Sequence, residues 1–347
     1  MVSVKTIPLY FLIFQFLIAI TQCSTTFTER GQLVHFSGTT MGQIRYNVKY
    51  YHPKGTNLKI SVDSLLQVWN QSLSTYIPGS EISRFNDGDS CFTFQSKYFY
   101  PVLNTSKIVY NKTDGAFDPT VGPLVNAWGF GPDKSNSPDS LLIDKLRPLI
   151  GFDKIHFNKQ KVCKDFPGMK LDFSAIAKGY AVDVVAVFLE SKGIQHQLVE
   201  IGGELLCKGT KDGNIPWRTA IEDPGVEVYE QKILAVVDIT NRAIATSGNY
   251  RNYYVHEGKK YGHTIDPGTG YPVQHSLLSA SIFANDCMTA DAYATAFMVM
   301  GVKKSLEVLK NNPKIDAYLI YENETGQLDT YASPGIKDFI KKIHAEE

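Results

Sequence analysis

Two polar side chains, Asp291 and Thr295, lie four residues apart in a segment made mostly of alanine, aromatic and methionine residues. A spacing of four places both side chains on one face of a helix. Their oxygens suit a hard cation, whose coordination shell backbone carbonyls and phosphate oxygens would complete. In a purely structural interpretation, Asp291 helps to cap the first helical turn and Thr295 bonds back to a helix carbonyl. The spacing alone leaves both interpretations open.

A second polar pair, Asp172 and Lys178, lies where a loop leads into an apolar helical pattern. Backbone amides and the positive end of the helix dipole can hold a phosphate at such a junction, and Lys178 would add a positive charge. Alternatively, Asp172 belongs to the region of the helix cap and Lys178 is solvated. The pair is therefore a candidate phosphate site rather than an assigned one.

Residues 262–272 are dense in glycine and proline and carry His263 close to Asp266, which predicts a surface loop with a candidate base. A histidine in a loop can also be merely exposed. Two further turns, residues 114–120 and 201–204, are places where backbone could approach a ligand closely or where a hairpin simply closes.

The elements that must position these residues are both helical and extended. Helical spacing covers residues 62–76, 176–189 with Gly193 as a stop, and 290–300, which Gly301 separates from a fourth helix at 303–309. Strands are predicted at 197–201, 234–239, 243–246 and 278–283, and loops at 131–140 and 212–216. Because no regular βαβ rhythm appears, the sequence predicts an α+β fold, with one domain over residues 26–347.

The composition excludes two classes of protein. With 43% apolar and 20% charged residues, the chain can build a packed core and is not disordered. Its 35 Lys and Arg balance its 35 Asp and Glu, so no overall field draws it to nucleic acid. We therefore expect no nucleic-acid partner.

The N-terminus differs from the rest of the chain. Lys5 precedes an apolar run over residues 7–20, which predicts a signal peptide at residues 1–22 and an exported protein. Cys23 stands where a bacterial lipoprotein signal ends, although Gln22 is larger than the residue usual before that cysteine. Lipidation of Cys23, with anchoring to the membrane, and simple cleavage both stay open.

The four remaining cysteines, at positions 91, 163, 207 and 287, are too widely spaced for a CxxC-type metal site. An exported chain could pair them. Because a domain of this size does not need covalent staples, isolated buried thiols are expected instead.

Taken in order, the motifs resemble those of the ApbE-type FAD:protein FMN transferases over nearly the whole mature chain. The matching segments are residues 40–42, Tyr76, 80–86, 115–124, 128–131, 171–183, 201–204, 246–250, 263–272 and 286–291. The resemblance implies a single ApbE-type, T-fold-like α+β domain with interspersed helices and an antiparallel sheet. It also implies an exported, periplasmic enzyme that uses Mg²⁺ and FAD, joins FMN to a Thr or Ser hydroxyl of an acceptor flavoprotein and releases AMP.

The same resemblance implies roles for individual residues. Those that would line the FAD site are Met41, Tyr76, Ala116, Phe117, Asp118, Asp172, Lys178 and Ile265. The carbonyl of Ala175, with Asp291 and Thr295, would hold the metal, and His263 would accept the proton. The chemistry agrees, because a diphosphate needs cationic neutralisation and this chain has no Walker loop. Acceptors by analogy are subunits of membrane redox pumps with a Thr- or Ser-containing motif.

Two departures and two alternatives accompany the resemblance. Gly268 stands where the family usually has a basic residue, and Phe173-Ser174 replaces a commoner Leu-Gly pair.

Water in place of the acceptor hydroxyl would make the protein an FAD pyrophosphatase that gives FMN and AMP. A non-enzymatic, FAD-binding exported lipoprotein is the other alternative, although storage of flavin needs no base such as His263.

Overall fold

The computed structural model describes residues 30–131, 140–224, 232–249, 253–256 and 259–342. The predicted leader, Cys23 and most of the predicted loop 131–140 lie outside these ranges. In the described ranges the helices are α1 Lys59–Leu73, α2 Glu81–Asp87, α3 Phe99–Lys112, α4 Gly122–Ala127, α5 Ser140–Leu146, α6 Ala177–Ser191 and α7 Cys287–Asn311. None of these helices combines the length and apolar character that crossing a membrane requires.

Strands alternate with these helices along the chain. They are β1 Gln32–Thr40, β2 Ile44–His52, β3 Cys91–Thr93, β4 Ile155–Phe157, β5 Lys161–Lys164, β6 Gln197–Ile201, β7 Glu204–Lys208, β8 Trp217–Glu222, β9 Ile233–Ile239, β10 Arg242–Gly248, β11 Tyr253–His256, β12 Lys259–Gly262, β13 Leu277–Ala284, β14 Asp316–Glu322, β15 Leu328–Ala332 and β16 Ile340–Lys342. The mixture of helices with antiparallel strands confirms the predicted α+β class.

One large antiparallel sheet organises the fold, with strand order β1-β2-β6-β7-β10-β13-β14-β15. Smaller sheets are β16-β9-β8, β3-β5-β4 and the hairpin β11-β12. Because β7, β10 and β13 are neighbours in the large sheet, segments distant in sequence meet at its centre. This is where α6 and α7 pack, α6 on β6 and β7, and α7 on β10 and β13.

Side-chain alternation divides the apolar residues of the large sheet between its two faces. Along β14, Ala317 and Leu319 belong to the main core under the helices, whereas Tyr318 and Ile320 belong to a second core under the β16-β9-β8 sheet. Such a sheet is covered on both faces, so its strands read as short apolar runs rather than as alternating patterns. Three of the four predicted strands are confirmed in this sheet as β6, β10 and β13, and the fourth is confirmed as β9 of the β16-β9-β8 sheet.

The predicted helices are present, with altered ends. The helix α1 starts at Lys59 and finishes at Leu73, ahead of both predicted ends, and α6 ends shortly before Gly193, whose φ of +80° suits a helix stop. The third and fourth predicted helices are the two parts of α7, which meet at Gly301, where the backbone is not helical (φ +71°, ψ −179°), as the sequence predicts.

The expectation of isolated thiols is wrong for two of the four cysteines. Cys91 and Cys163 form a disulfide, because antiparallel pairing of β3 with β5 places them directly opposite each other. Their separation of 72 residues gives no sign of this pairing in the sequence. Cys207 and Cys287 are free and buried, as expected.

Candidate active site

The centre of the candidate site is the contact between α6 and α7. Gly179 lies so close to α7 that an added Cβ would stand 2.2 Å from the carbonyl oxygen of Cys287. Its backbone N–H donates to Oδ2 of Asp291 at 2.9 Å. Asp291 is buried, and the side-chain cap of α7 is Asp286, which accepts from the N–H of Thr289. Asp291 therefore holds the neighbouring helix and does not cap its own.

Lys178, one residue earlier on α6, lies between two buried carboxylates. Its Nζ is 2.8 Å from Oε1 of Glu204 and 3.6 Å from Oδ1 of Asp291. Glu204 begins β7, directly after the Gly202-Gly203 turn. Lys178 is thus paired with carboxylates and not simply solvated, and its contact with a phosphate stays a prediction.

Burial and charge act together on this cluster. Burial raises the pKa of Glu204 to about 7, with a further increase from Asp291 and an opposing effect from Lys178. Burial by itself lowers the pKa of Lys178, but the charges of Asp291 and Glu204 outweigh it, so the net pKa lies above the ordinary lysine value. Lys178 is therefore cationic at neutral pH, and the cluster has more acidic than basic groups.

Thr295 follows Asp291 by one turn of α7 and faces the end of β10. Its Oγ1 lies 3.4 Å from Oγ of Ser247, a distance at the limit of a hydrogen bond. Thr246, the residue before Ser247, bonds to Ser281 of β13 at 2.7 Å. Because side chains alternate along a strand, only Ser247 of these three strand hydroxyls lies on the face of the sheet that α7 covers, and Thr246 and Ser281 lie on the other face.

The loop that carries His263 is more enclosed than the sequence predicts. Thr264, Ile265 and Gly270 are buried, and His263 itself is half-buried. Trp128 donates from its indole Nε1 to the carbonyl of Gly270 at 2.8 Å, which anchors the loop on α4. The predicted surface loop is thus covered on one side by the tryptophan and its apolar neighbours, while Gly268, Thr269 and Tyr271 are exposed.

The His263 ring and the residue after it contact two other segments of the chain. The ring of Phe130 meets it edge to face, with 6.3 Å between the ring centres. Thr264, the next residue, donates its hydroxyl to Oδ1 of Asn249 at 2.5 Å, and Asn249 follows the end of β10. The strand that carries Ser247 toward Thr295 therefore also leads to the His263 loop.

The acidic residues of the predicted FAD site lie on two adjoining turns. Asp118 is buried and accepts hydrogen bonds from the backbone and hydroxyl of Thr120 and from the N–H of Phe152. Burial raises its pKa to about 6, although these hydrogen bonds act in the opposite direction. Asp172 donates its N–H to the carbonyl of Pro119 at 2.7 Å and accepts from Ser174 with its side chain. These contacts join the two turns.

The remaining predicted residues occupy different environments. Met41 is at the β1–β2 turn with a left-handed φ of +47°, and Tyr76 is 69% exposed after α1. The Phe117 ring is buried in the main core, and Ile265 is buried in a separate cluster with Trp128. Ala175 is partly buried, just before α6. Tyr76 and Met41 thus keep accessible side-chain surface, whereas the side chains of Phe117 and Ile265 are buried.

A cleft of about 1110 Å³ opens beside these turns. Its lining includes Gly115, Ala116 and Asp118, together with Arg147, Asp266 and Gly268. Arg147 donates to the carbonyl of Gly268 at 3.1 Å. A positive charge is thus present at the loop where Gly268 replaces the usual basic residue.

The donor set fits a magnesium ion. In the described ranges, no group of three or more His, Cys, Asp or Glu side chains is arranged to hold a metal, so a cation here would depend on Asp291 together with hydroxyl, carbonyl and phosphate oxygens. Magnesium is commonly bound in this way, through one or two carboxylates and substrate phosphates. Oε2 of Glu204 is buried and has no hydrogen-bond partner among the described residues, so one acceptor of the cluster is not used by the protein there.

Three residues of this site were missed as functional candidates in the sequence. Glu204 stands in a segment, residues 201–204, that also fits a simple hairpin turn, and the hairpin β6–β7 does close there. Ser247 and Asn249 lie within the matched segment 246–250 but had no assigned role. The signal that could have identified Glu204 is an acidic residue that starts an otherwise apolar strand.

Comparisons with known proteins agree with the geometry. A family model described as the ApbE family matches residues 41–319. The FAD:protein FMN transferase of Vibrio cholerae serotype O1 is 40% identical over 321 residues, covering 90% of this chain and 94% of the relative. The protein of the same name from Escherichia coli K12 is 37% identical over 322 residues, covering 90% and 91%.

Solved structures give the same result. The flavin transferase ApbE from Vibrio cholerae has a TM-score of 0.80 at 38% identity and covers 89% of this chain and 99% of its own. The Pseudomonas stutzeri flavinyl transferase ApbE in its apo form has a TM-score of 0.79 at 34% identity and covers 89% and 96%.

Proposed function

The chain belongs to the ApbE family of enzymes, and on this premise we propose that it transfers FMN from FAD to a Thr or Ser hydroxyl of an acceptor flavoprotein. The hydroxyl oxygen forms a bond to the phosphorus on the FMN side of the diphosphate. The bond from that phosphorus to the bridging oxygen breaks, AMP leaves, and the hydroxyl proton passes to a base. The observation that carries the proposal is the pairing of Lys178 with buried Asp291 on facing helices, in a fold where β10 leads from Ser247, opposite Thr295, to Asn249, which contacts the His263 loop.

Each charged residue has a part in this reaction. Lys178 would face the diphosphate and stabilise the negative charge that develops on it. Asp291, Thr295 and the carbonyl of Ala175 would hold Mg²⁺, which when bound neutralises phosphate charge. Asp118 and Asp172, on their joined turns, would orient the flavin nucleotide through polar contacts. Tyr76 and Met41 would contact the isoalloxazine or adenine ring.

His263 is the base in this proposal. A Thr hydroxyl is a poor nucleophile at neutral pH, so a group that can take its proton must lie within hydrogen-bond reach. The anchoring of its loop by Trp128 and Asn249 restricts where the imidazole can point. Aligning a base that is held in this way costs less entropy than aligning one on a loose surface loop.

The test is transfer itself, with a redox-pump subunit that carries a Thr-containing flavinylation motif as acceptor. We expect mass spectrometry to show one FMN per acceptor with FAD and Mg²⁺, and no adduct with Asp291→Asn. The matched control is Asp338→Asn, the same chemical change at an exposed carboxylate. Equal transfer by Asp291→Asn at saturating Mg²⁺ would contradict the metal site. Release of FMN and AMP without an adduct would favour the pyrophosphatase alternative.

An exported, periplasmic location completes the proposal. The Cys91–Cys163 disulfide supports it, because disulfides persist in oxidising compartments and are rare in the cytosol. The predicted leader at residues 1–22 supports it as well, and a lipid on Cys23 would hold the enzyme at the membrane near redox-pump subunits. These acceptors would meet the enzyme on the same side of the membrane.

A further inference from the structure

The ammonium of Lys178 already occupies the place beside Asp291 where a cation is expected. Its Nζ lies 3.6 Å from Oδ1 of Asp291, while Oδ2 of the same carboxylate accepts from the N–H of Gly179. Oδ1 is therefore the oxygen that both an ammonium and a metal ion would use. Two cations cannot share it closely, because like charges at such distances repel strongly where water is excluded.

Glu204 offers Lys178 a second carboxylate at shorter range. Nζ is 2.8 Å from Oε1 of Glu204, and the Glu204 side chain is only 4% exposed. Its other oxygen, Oε2, has no hydrogen-bond partner among the described residues. Glu204 therefore has spare acceptor capacity for an ammonium that leaves Asp291.

The local backbone leaves room for this arrangement. Gly202 has a left-handed φ of +66°, and an added Cβ there would lie 2.8 Å from the Ile44 side chain and 3.4 Å from Cδ of Lys178. The turn before Glu204 thus gives the stem of Lys178 space beside the strand. Glu204 itself is fixed by its pairing with Ile201 in the β6–β7 hairpin.

We infer that Lys178 is the resident counter-ion of Asp291, and that Glu204 is a positioning residue that retains the Lys178 ammonium when a divalent cation takes Asp291. This inference rests on the proposed metal site and adds an exchange between the two cations. Without Glu204, Lys178 would have only Asp291 as its carboxylate partner and would compete with the metal more strongly. With Glu204, the ammonium stays beside the site, where the diphosphate can meet it.

The experiment measures metal binding without FAD, so it does not depend on turnover. The full mature chain is titrated with Mn²⁺, and free Mn²⁺ is measured by its electron paramagnetic resonance signal. Lys178→Met should bind Mn²⁺ about tenfold more tightly, since removal of one nearby positive charge is worth about a factor of ten. Glu204→Gln should bind about tenfold more weakly. Lys208 lies at the other end of β7 from Glu204 and pairs with Glu190 of α6, so Lys208→Met should leave the Mn²⁺ affinity unchanged.

The double variant separates positioning from simple loss of charge. If Glu204 acts through Lys178, Glu204→Gln should weaken Mn²⁺ binding much less in a Lys178→Met background than in the wild type. An equal loss in both backgrounds would overturn the inference. Circular dichroism checks that each variant is folded, and Lys178→Gln replaces Lys178→Met if the latter is not.

The outcomes also separate this inference from the proposed function. If Asp291→Asn binds Mn²⁺ as tightly as the wild type, the proposed metal site itself is wrong. If Asp291→Asn abolishes binding but Lys178→Met does not tighten it, the metal site stands and the exchange between cations is wrong.

Discussion

The backbone N–H of Gly179 donates to the carboxylate of Asp291, and this contact joins α6 to α7 at the point where the charged residues of the site converge. No other residue type fits at position 179, because the carbonyl of Cys287 occupies the space of a Cβ. The packing of two helices and the orientation of a candidate metal ligand thus depend on the same glycine.

Gly179→Ala should therefore damage both stability and activity. An added methyl group in a tightly packed contact costs about 1–3 kcal/mol, and here it would also push Asp291 away from its hydrogen bond. Urea unfolding followed by circular dichroism measures the first effect, and FMN transfer measures the second. Gly88→Ala is the control, since its Cβ would meet no atom closer than 3.3 Å. Wild-type stability in Gly179→Ala would show that the helices separate without cost.

His263→Asn should lower FMN transfer by about 10² to 10⁴, the usual scale for the loss of a general base. FAD affinity should change little, because Lys178 and the ring contacts remain. Single-turnover kinetics and quenching of flavin fluorescence measure the two quantities. His156→Asn, at an exposed histidine paired with Asp165, is the control. A variant that loses FAD binding but keeps its turnover at saturating FAD would make His263 a residue that positions the ligand.

Asp118 should make stability depend on pH in a defined window. Because its pKa is raised by burial from 3.8 to about 6, the folded state binds this proton more readily than the unfolded state. The resulting contribution is present below about pH 4 and is lost as the pH rises through about 6, by about 3 kcal/mol in total. Asp118→Asn does not titrate there. The stability advantage of wild type over this variant should therefore shrink between pH 4 and pH 7, and a constant difference would count against the burial effect.

The disulfide should contribute to stability without contributing to catalysis. Closing a loop of 72 residues should stabilise the protein by about 4 kcal/mol in the chain-entropy account. The double variant Cys91→Ser/Cys163→Ser should lose about that much and keep its FMN transfer, since β3 and β5 contribute no residue to the site. Dithiothreitol should destabilise the wild type alone. An equal response of the double variant to the reductant would point to another target.

The leader should be absent from the protein isolated from its native host. Intact-mass analysis should find a mature chain that begins at or near Cys23. Incorporation of labelled palmitate that disappears in Cys23→Ala would establish lipidation, whereas a cleaved, unlabelled product would show simple export. Retention of residues 1–22 would contradict both.

Local patterns predicted the parts of the fold in which short-range preference and tertiary burial agree. The strand β6 matches its predicted bounds, and α6 lies within two residues of its predicted ends. In both elements the local propensity of the residues and the burial of their apolar side chains favour the same secondary structure. The interruption at Gly301 was predicted too, and the backbone of that residue is not helical.

Long-range pairing accounts for what the sequence did not predict. The Cys91–Cys163 bond depends on strand register, and the contacts of the His263 loop come from Trp128 and Phe130, more than a hundred residues away. Glu204 looks like part of a turn until its carboxylate is seen beside Lys178. The motifs therefore located the segments of the site, and the tertiary contacts determined which atoms face one another.

The central sheet brings together parts of the chain that are translated far apart. Lys178, Glu204, Ser247 and Asp291 arrive from α6, β7, β10 and α7, so the site depends on contacts with large sequence separation. Such contacts close only after the loss of considerable chain entropy. A fragment that ends before α7 would hold Glu204 without Asp291 and could not bind the diphosphate in the proposed way. For the exported enzyme that we propose, the unfolded precursor would therefore stay inert toward FAD until translocation and folding are complete.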